Sequence, residues 1–192
     1  MTNNKYNKDN VDKENHPITK ESIKREIIEW VIVIEVAIVL AVVINLVFLV
    51  NAIIPSASME PTIMTGDRIF GNRLAYVKED PKRGDIVIFK FPDDESQLFI
   101  KRIIGEPGDI VWVKDGQVYL NGSETPLDEP YISAPDTGDF GPYLVPEDHY
   151  FMMGDNRPRS ADSRYWNNPY VARDKILGEA WIRYFPSPSV IK

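Results

Sequence analysis

Residues 30–62 read WVIVIEVAIVLAVVINLVFLVNAIIPSASMEPT. The run from 30 to 54 is almost wholly apolar, and about 20 such residues cross a bilayer as a helix. It therefore predicts a transmembrane helix over 30–54. Glu35 lies near the amino end, where a side chain reaches the interface. Asn45 and Asn51 interrupt the run further on. The alternative is a core helix of a soluble domain. A cleaved export signal fits less well, because its apolar region spans about 7–15 residues. Pro55 and Pro61 disfavour continuation of the helix. With a helix end near Ile54, Ser58 follows four residues later, about 13 Å at full extension. Its chemistry would then lie close to the bilayer surface. The plain alternative is a turn whose serines bond nearby backbone.

The whole chain of 192 residues fits one medium domain plus accessory segments. The absence of cysteine excludes disulfides and thiolate chemistry. Of the two histidines, His16 sits in a polar segment, so a Ser-His-Asp triad could use only His149. Residues 1–29 are polar, Asn- and Lys-rich and balanced in charge, show no hydrophobic repeat until about Ile23, and predict a mostly disordered tail running into a helix start. Residues 55–192 carry most of the net charge of −7. An acidic main domain argues against nucleic acid as a partner. Lys13, Lys20, Lys24 and Arg25 precede the apolar run, whereas only Arg68 and Arg73 follow it closely. That asymmetry predicts a cytoplasmic amino terminus and an extracytoplasmic 55–192.

Beyond residue 54 the chain reads as strands. Residues 84–91, 97–105, 109–115, 117–122, 149–155 and 178–185 are short, rich in β-branched and aromatic residues, and bounded by Gly, Pro or Asp. Asp115-Gly116 is a hairpin signal, since its turn needs positive φ. The Pro-, Asp- and Gly-rich stretch 123–146 predicts a long loop or a small subdomain. The fold class expected is mainly β: an antiparallel-sheet domain after one amino-terminal helix.

Three places carry chemistry. The first is the serine segment at 56–58. The second is Lys101, in LFIKRIIGEPGD (98–109). On a strand it shares a face with Phe99 and Ile103, and Arg102 takes the other face. Apolar neighbours desolvate an amine and lower its pKa, which suits a general base. The bland reading is a solvent-facing lysine. The third is GDNRPRSADSR (154–164), dense in groups that pair and could brace a site. A serine hydroxyl needs a base, and a Ser–Lys pair supplies one without histidine or metal.

With these residues in view, the chain resembles the bacterial type I signal peptidases, membrane-anchored Ser–Lys proteases, in their compact form. The resemblance runs through PSASMEPT (55–62), RGDIVIF (83–89), IKRIIGEPGD (100–109) and GDNRPRSADSR (154–164), in that order, and covers residues 30 to 185. It implies Ser58 as nucleophile and Lys101 as general base. It implies the Ser58 N–H, and the Ser56 hydroxyl, as oxyanion donors. Ser160 would orient the Lys101 amine, and Asp155, Asp162 and Arg164 would support the site. Met59 and Ile100 would line a shallow substrate pocket. It implies no cofactor or metal, and the partners are exported precursors carrying signal peptides and the lipid bilayer. Cleavage would follow small residues in an Ala-x-Ala pattern. Pro158 and Arg159 depart from the usual final box, and Glu106 replaces a commonly apolar residue. His149 matches no catalytic position.

A non-catalytic homologue that captures precursors or a partner peptidase is the competing reading, and the presence of both Ser58 and Lys101 argues against it. A soluble self-cleaving Ser–Lys regulator is disfavoured by the apolar run and the lack of a basic patch. The Ser-x-x-Lys spacing of penicillin-binding enzymes occurs only at Ser189–Lys192, after Pro186-Ser187-Pro188 and not at a helix start, and the Gly-x-Ser-x-Gly motif of α/β-hydrolases is absent.

Overall fold

The computed structural model describes residues 20–191, so residues 1–19 of the tail expected over 1–29 lie outside the described residues. The chain divides into two units, one ending at Ala41 and one beginning at Val42.

Helix α1 (Lys20–Val47) starts earlier than residue 30. Residues 20–29 are mostly good helix formers, and Arg25 and Glu29 pair at 3.1 Å one turn apart. Its segment Ile23–Val47 is long and apolar enough to cross a membrane. The large apolar side chains along it are exposed. That fits a membrane anchor and not a core helix.

The helix ends at Val47 and not at residue 54. Leu49–Ile53 instead form strand β1, which pairs antiparallel with β2 (Arg68–Asn72), Asn51 opposite Phe70. Val50 and Ile54 point into the protein core. A mostly apolar run carries the same signal for a strand as for a helix, so the boundary was not visible in the sequence.

The remaining strands are β3 (Ile86–Phe91), β4 (Asp94–Gly105), β5 (Ile110–Lys114), β6 (Gln117–Leu120), β7 (Phe140–Leu144), β8 (His149–Met153), β9 (Tyr170–Ala172), β10 (Ile176–Phe185) and β11 (Ser189–Val190). The main sheet runs β1-β2-β10-β3-β4-β8-β9, with β11 added to β10. Its pairings are all antiparallel. A second sheet has the order β6-β5-β7, also antiparallel. The fold is therefore mainly β, as expected. Strand β7 falls inside the stretch 123–146, which forms the third strand of the small sheet and a long connection before it.

Alternation along the central strands explains their near-continuous apolar sequences. Ile86 and Ile88 enter one core cluster with Met59, Ile63 and Ile69, whereas Val87 and Phe89 enter another with Ile103 and Met152. A third cluster joins the two sheets: Ile104, Phe151 and Met153 meet Val111, Val113 and Val118. The β5–β6 turn has Asp115 at φ 47 and Gly116 at φ 74, the positive angles its sequence demanded. Glu106 also finds its place. It accepts from the Arg83 N–H at 2.7 Å, and Arg83 reaches Asp109 at 3.0 Å, clamping two turns together.

Phe151 is fully buried in the cluster between the sheets, its ring centroid 4.8 Å from that of Tyr143. Phe151→Ala is expected to destabilise the domain by about 3–5 kcal/mol, read from denaturant unfolding in detergent.

Candidate active site

After β1, Pro55 turns the chain into a short 3-10 turn, Ala57–Met59. The turn brings Ser58 against Lys101 of β4. Ser58 Oγ and Lys101 Nζ are hydrogen bonded at 2.7 Å, with Ser58 5% and Lys101 4% exposed. Lys101 Nζ also donates to the Ile100 carbonyl at 3.0 Å and lies 5.5 Å from the Phe99 ring centroid. Burial lowers the Lys101 pKa from 10.5 to about 8, while the Asp162 and Asp155 carboxylates pull it upward. Desolvation wins, and a substantial fraction of the amine is neutral near pH 8. Ser58 stands eleven residues past the helix end, not four, because β1 intervenes.

Arg102, next to Lys101, points to the opposite face of β4. Its guanidinium grips Asp155 through two bonds of 2.8 and 2.7 Å, both side chains being buried. Asp155 also accepts from Thr62 Oγ1 at 2.5 Å, and Arg102 donates to the Gly84 carbonyl at 2.7 Å. One ion pair thus ties together all four sequence boxes. Tyr131 stacks on the guanidinium, 3.9 Å from centroid to Cζ. Asp162 binds Arg164 at 2.8 and 2.9 Å and accepts from the Gly154 N–H at 3.0 Å. The long 121–139 connection adds Glu129, paired with Arg157, and Asp136, paired with Arg164. Asn156 donates from its backbone to the Ser58 carbonyl and from Nδ2 to the Ala57 carbonyl, each at 3.0 Å.

Ser58, Lys101, Asp155, Asp162 and Arg164 therefore converge as the sequence led one to expect. Ser160 is buried beside them, but its Oγ makes no hydrogen bond, so the expected bond to Lys101 is absent. The amine already bonds Ser58 Oγ and the Ile100 carbonyl. Ser160 instead packs on Gly154, where an added Cβ would strike both Ser160 Oγ and the Ser58 carbonyl. The exposed Ser56 hydroxyl points at Ser58 Oγ across 3.4 Å, long for such a bond. Met59 is fully buried in the core and does not line a pocket, because the 3-10 turn directs it inward. Ile100 does line one: a cleft of about 210 Å³ between 51–55 and 98–100, floored by Ile88. His149 only donates from Nδ1 to the Glu147 carbonyl.

Arg102, Thr62, Asn156, Arg157 and Glu129 were not singled out as site residues from sequence. The strand alternation that exposed Lys101 also placed Arg102 on the other face. Its partner, more than fifty residues away, carried no local signal. Among the described residues no group of three or more His, Asp or Glu side chains has metal-holding geometry. Asp155→Ala leaves a buried guanidinium unpaired. It is expected to cost about 3–5 kcal/mol, measured as a lowered thermal midpoint relative to wild type.

The signal peptidase (peptidase S26) family model matches residues 27–185. A probable signal peptidase I-2 of Synechocystis sp. is 48% identical over 142 residues, 71% of this chain and 63% of that protein. A signal peptidase I of Leptolyngbya laminosa is 41% identical over 140 residues, 69% of this chain and 67% of that one. A signal peptidase I of Bacillus licheniformis is 37% identical over 179 residues, 88% of this chain and 94% of that one. The chain thus spans a little under two thirds of the Synechocystis relative and nearly all of the Bacillus one. A family match over residues 27–185, which include all four segments that the buried Arg102–Asp155 pair draws together, means that the chain belongs to the signal peptidase family, peptidase S26.

Proposed function

We propose that this chain is a membrane-anchored type I signal peptidase, a serine endopeptidase that removes signal peptides from exported precursors with a Ser58–Lys101 dyad. The observation that carries this reading is the buried 2.7 Å contact between a hydroxyl and an amine whose pKa is lowered to about 8. Neutral Lys101 takes the Ser58 proton as Oγ attacks the scissile carbonyl. The Ser58 N–H, with the Ser56 hydroxyl beside it, stabilises the oxyanion. Protonated Lys101 then gives its proton to the leaving amine, and an acyl-enzyme remains. Water, deprotonated by the same amine, hydrolyses the ester and frees Ser58.

The cleft supports an extended substrate. Four successive antiparallel pairings separate β1 from β4, so these two strands run in the same direction. A peptide laid between 51–55 and 98–100 therefore finds strand edges on both sides, and it runs towards Ser58 when parallel to them. Ala52, Ile54, Ile88 and Ile100 make the cleft narrow and apolar. That suits small residues such as alanine before the cut. The apolar segment Ile23–Val47 anchors the enzyme in the bilayer of its substrates, with the amino terminus cytoplasmic and the β domain outside.

Cleavage of a labelled preprotein in liposomes tests the dyad. Ser58→Ala and Lys101→Ala are expected to abolish cutting, and His149→Ala to leave it intact. A wild type that binds the precursor without cutting it would make the chain a capture homologue instead. Because burial lowers the lysine pKa, kcat/KM is expected to rise with pH through about 8 as Lys101 loses its proton. A flat profile from pH 6 to 9 would remove Lys101 from the role of base.

A further inference from the structure

We infer that Asn156 is a positioning residue for the oxyanion site. Its side-chain amide sets the direction of the Ser58 N–H and polarises it. The inference rests on the Ser58 nucleophile proposed above.

The carbonyl of Ala57 and the N–H of Ser58 belong to one planar group. The cis peptides among the described residues lie elsewhere, so this unit is trans and its C=O and N–H point in opposite directions. Whatever holds the Ala57 oxygen therefore aims the Ser58 N–H. Two donors hold it: the Glu60 N–H at 3.2 Å and Asn156 Nδ2 at 3.0 Å. The first is internal to the 3-10 turn and rotates with it. The second comes from ninety-nine positions along the sequence and is fixed to the frame of the domain. A carbonyl oxygen only accepts, so the nitrogen and not the oxygen of the Asn156 amide must face it.

The frame around Asn156 is rigid. Its neighbour Asp155 is locked by Arg102 and Thr62. Its other neighbour, Arg157, is held by Glu129 and by the Gly154 carbonyl. Asn156 therefore transmits the position of a buried ion-pair network to one peptide plane. A hydrogen bond to the oxygen of an amide also makes its N–H a stronger donor, since bonds in a chain polarise one another. That strengthening counts most when the substrate oxygen becomes negative, so it acts on the transition state more than on bound substrate.

A feature of the geometry makes this separable from a structural role. The backbone N–H of Asn156 bonds the Ser58 carbonyl at 3.0 Å, and every substitution except proline retains that donor. The turn stays docked when the side chain changes, and only the grip on Ala57 is lost.

The test compares Asn156→Ala and the similarly sized Asn156→Leu with wild-type full-length enzyme in detergent. Five quantities are measured on each: kcat and KM for a cleavable peptide; affinity for a peptide aldehyde, which forms a tetrahedral adduct on Ser58; affinity for the same peptide with proline after the scissile bond, which binds uncut; and the thermal midpoint. Removing an oxyanion donor outright costs about 10²–10³ in kcat. Loss of its orienting partner is expected to cost about ten- to a hundredfold in kcat. Aldehyde affinity should fall by a similar factor, with KM and uncut-peptide affinity changed less than twofold and the thermal midpoint preserved. Wild-type kcat in both variants overturns the inference. So does a kcat loss matched by an equal loss of uncut-peptide affinity or by a lowered midpoint, since that marks a structural role. Ser58→Ala is run alongside. Cleavage surviving in Ser58→Ala would instead overturn the nucleophile assignment itself.

Discussion

The site depends on the buried pair between Arg102 and Asp155. Burying both charges is expensive, and an isolated pair seldom repays it. Here the geometry is bidentate, and Thr62, the Gly84 carbonyl and the Tyr131 ring satisfy most of what remains. The pair gathers the segment after Ser58, the turn before β3, strand β4 and the loop after β8. Residues that neighbour each other on a strand face opposite ways. Anchoring Arg102 beneath the sheet therefore directs Lys101 to the side where Ser58 waits. The amine is positioned by the residue next to it.

The same network explains how an amine loses its charge in an acidic domain. Asp155 and Asp162 both draw Lys101 towards protonation, yet desolvation outweighs them. Each carboxylate is already engaged by a guanidinium of its own, Arg102 or Arg164. Their fields are largely compensated close to the source. The lysine, which has no anionic partner within hydrogen-bonding reach among the described residues, feels chiefly the loss of water. Two arginines placed away from the chemistry thus permit a neutral amine at the centre of it.

Much of the organisation was legible in the chain. Alternating apolar runs with Gly, Pro and Asp between them marked most of the strands, and Asp115-Gly116 marked a turn. The errors came where the local signal was ambiguous or the partner distant. Leu49–Ile53 continue the apolar run with only Asn51 to interrupt them, so strand and helix read alike until β2 supplies the pairing partner. Met59 looked like a pocket residue because it adjoins the nucleophile, but the 3-10 turn directs its side chain into the core. Ser160 was expected on the lysine, and packs against Gly154 with its hydroxyl unbonded. Glu106, without a reading at the level of sequence, holds the Arg83 turn.

By itself, the sequence determined the elements: an apolar helix, a β-rich acidic domain, a serine after a proline turn and a lysine among apolar neighbours. These follow from periodicity, length and residue chemistry, which act over a few positions. The tertiary structure alone decided which groups meet. Lys101 and Ser58 are forty-three positions apart, Arg102 and Asp155 fifty-three, and Asn156 and Ala57 ninety-nine. Contacts at such separations arise from sheet order and strand register, and no local pattern encodes them. The desolvation that lowers the lysine pKa is likewise a property of the assembled core, because it exists only once the surrounding strands have excluded water.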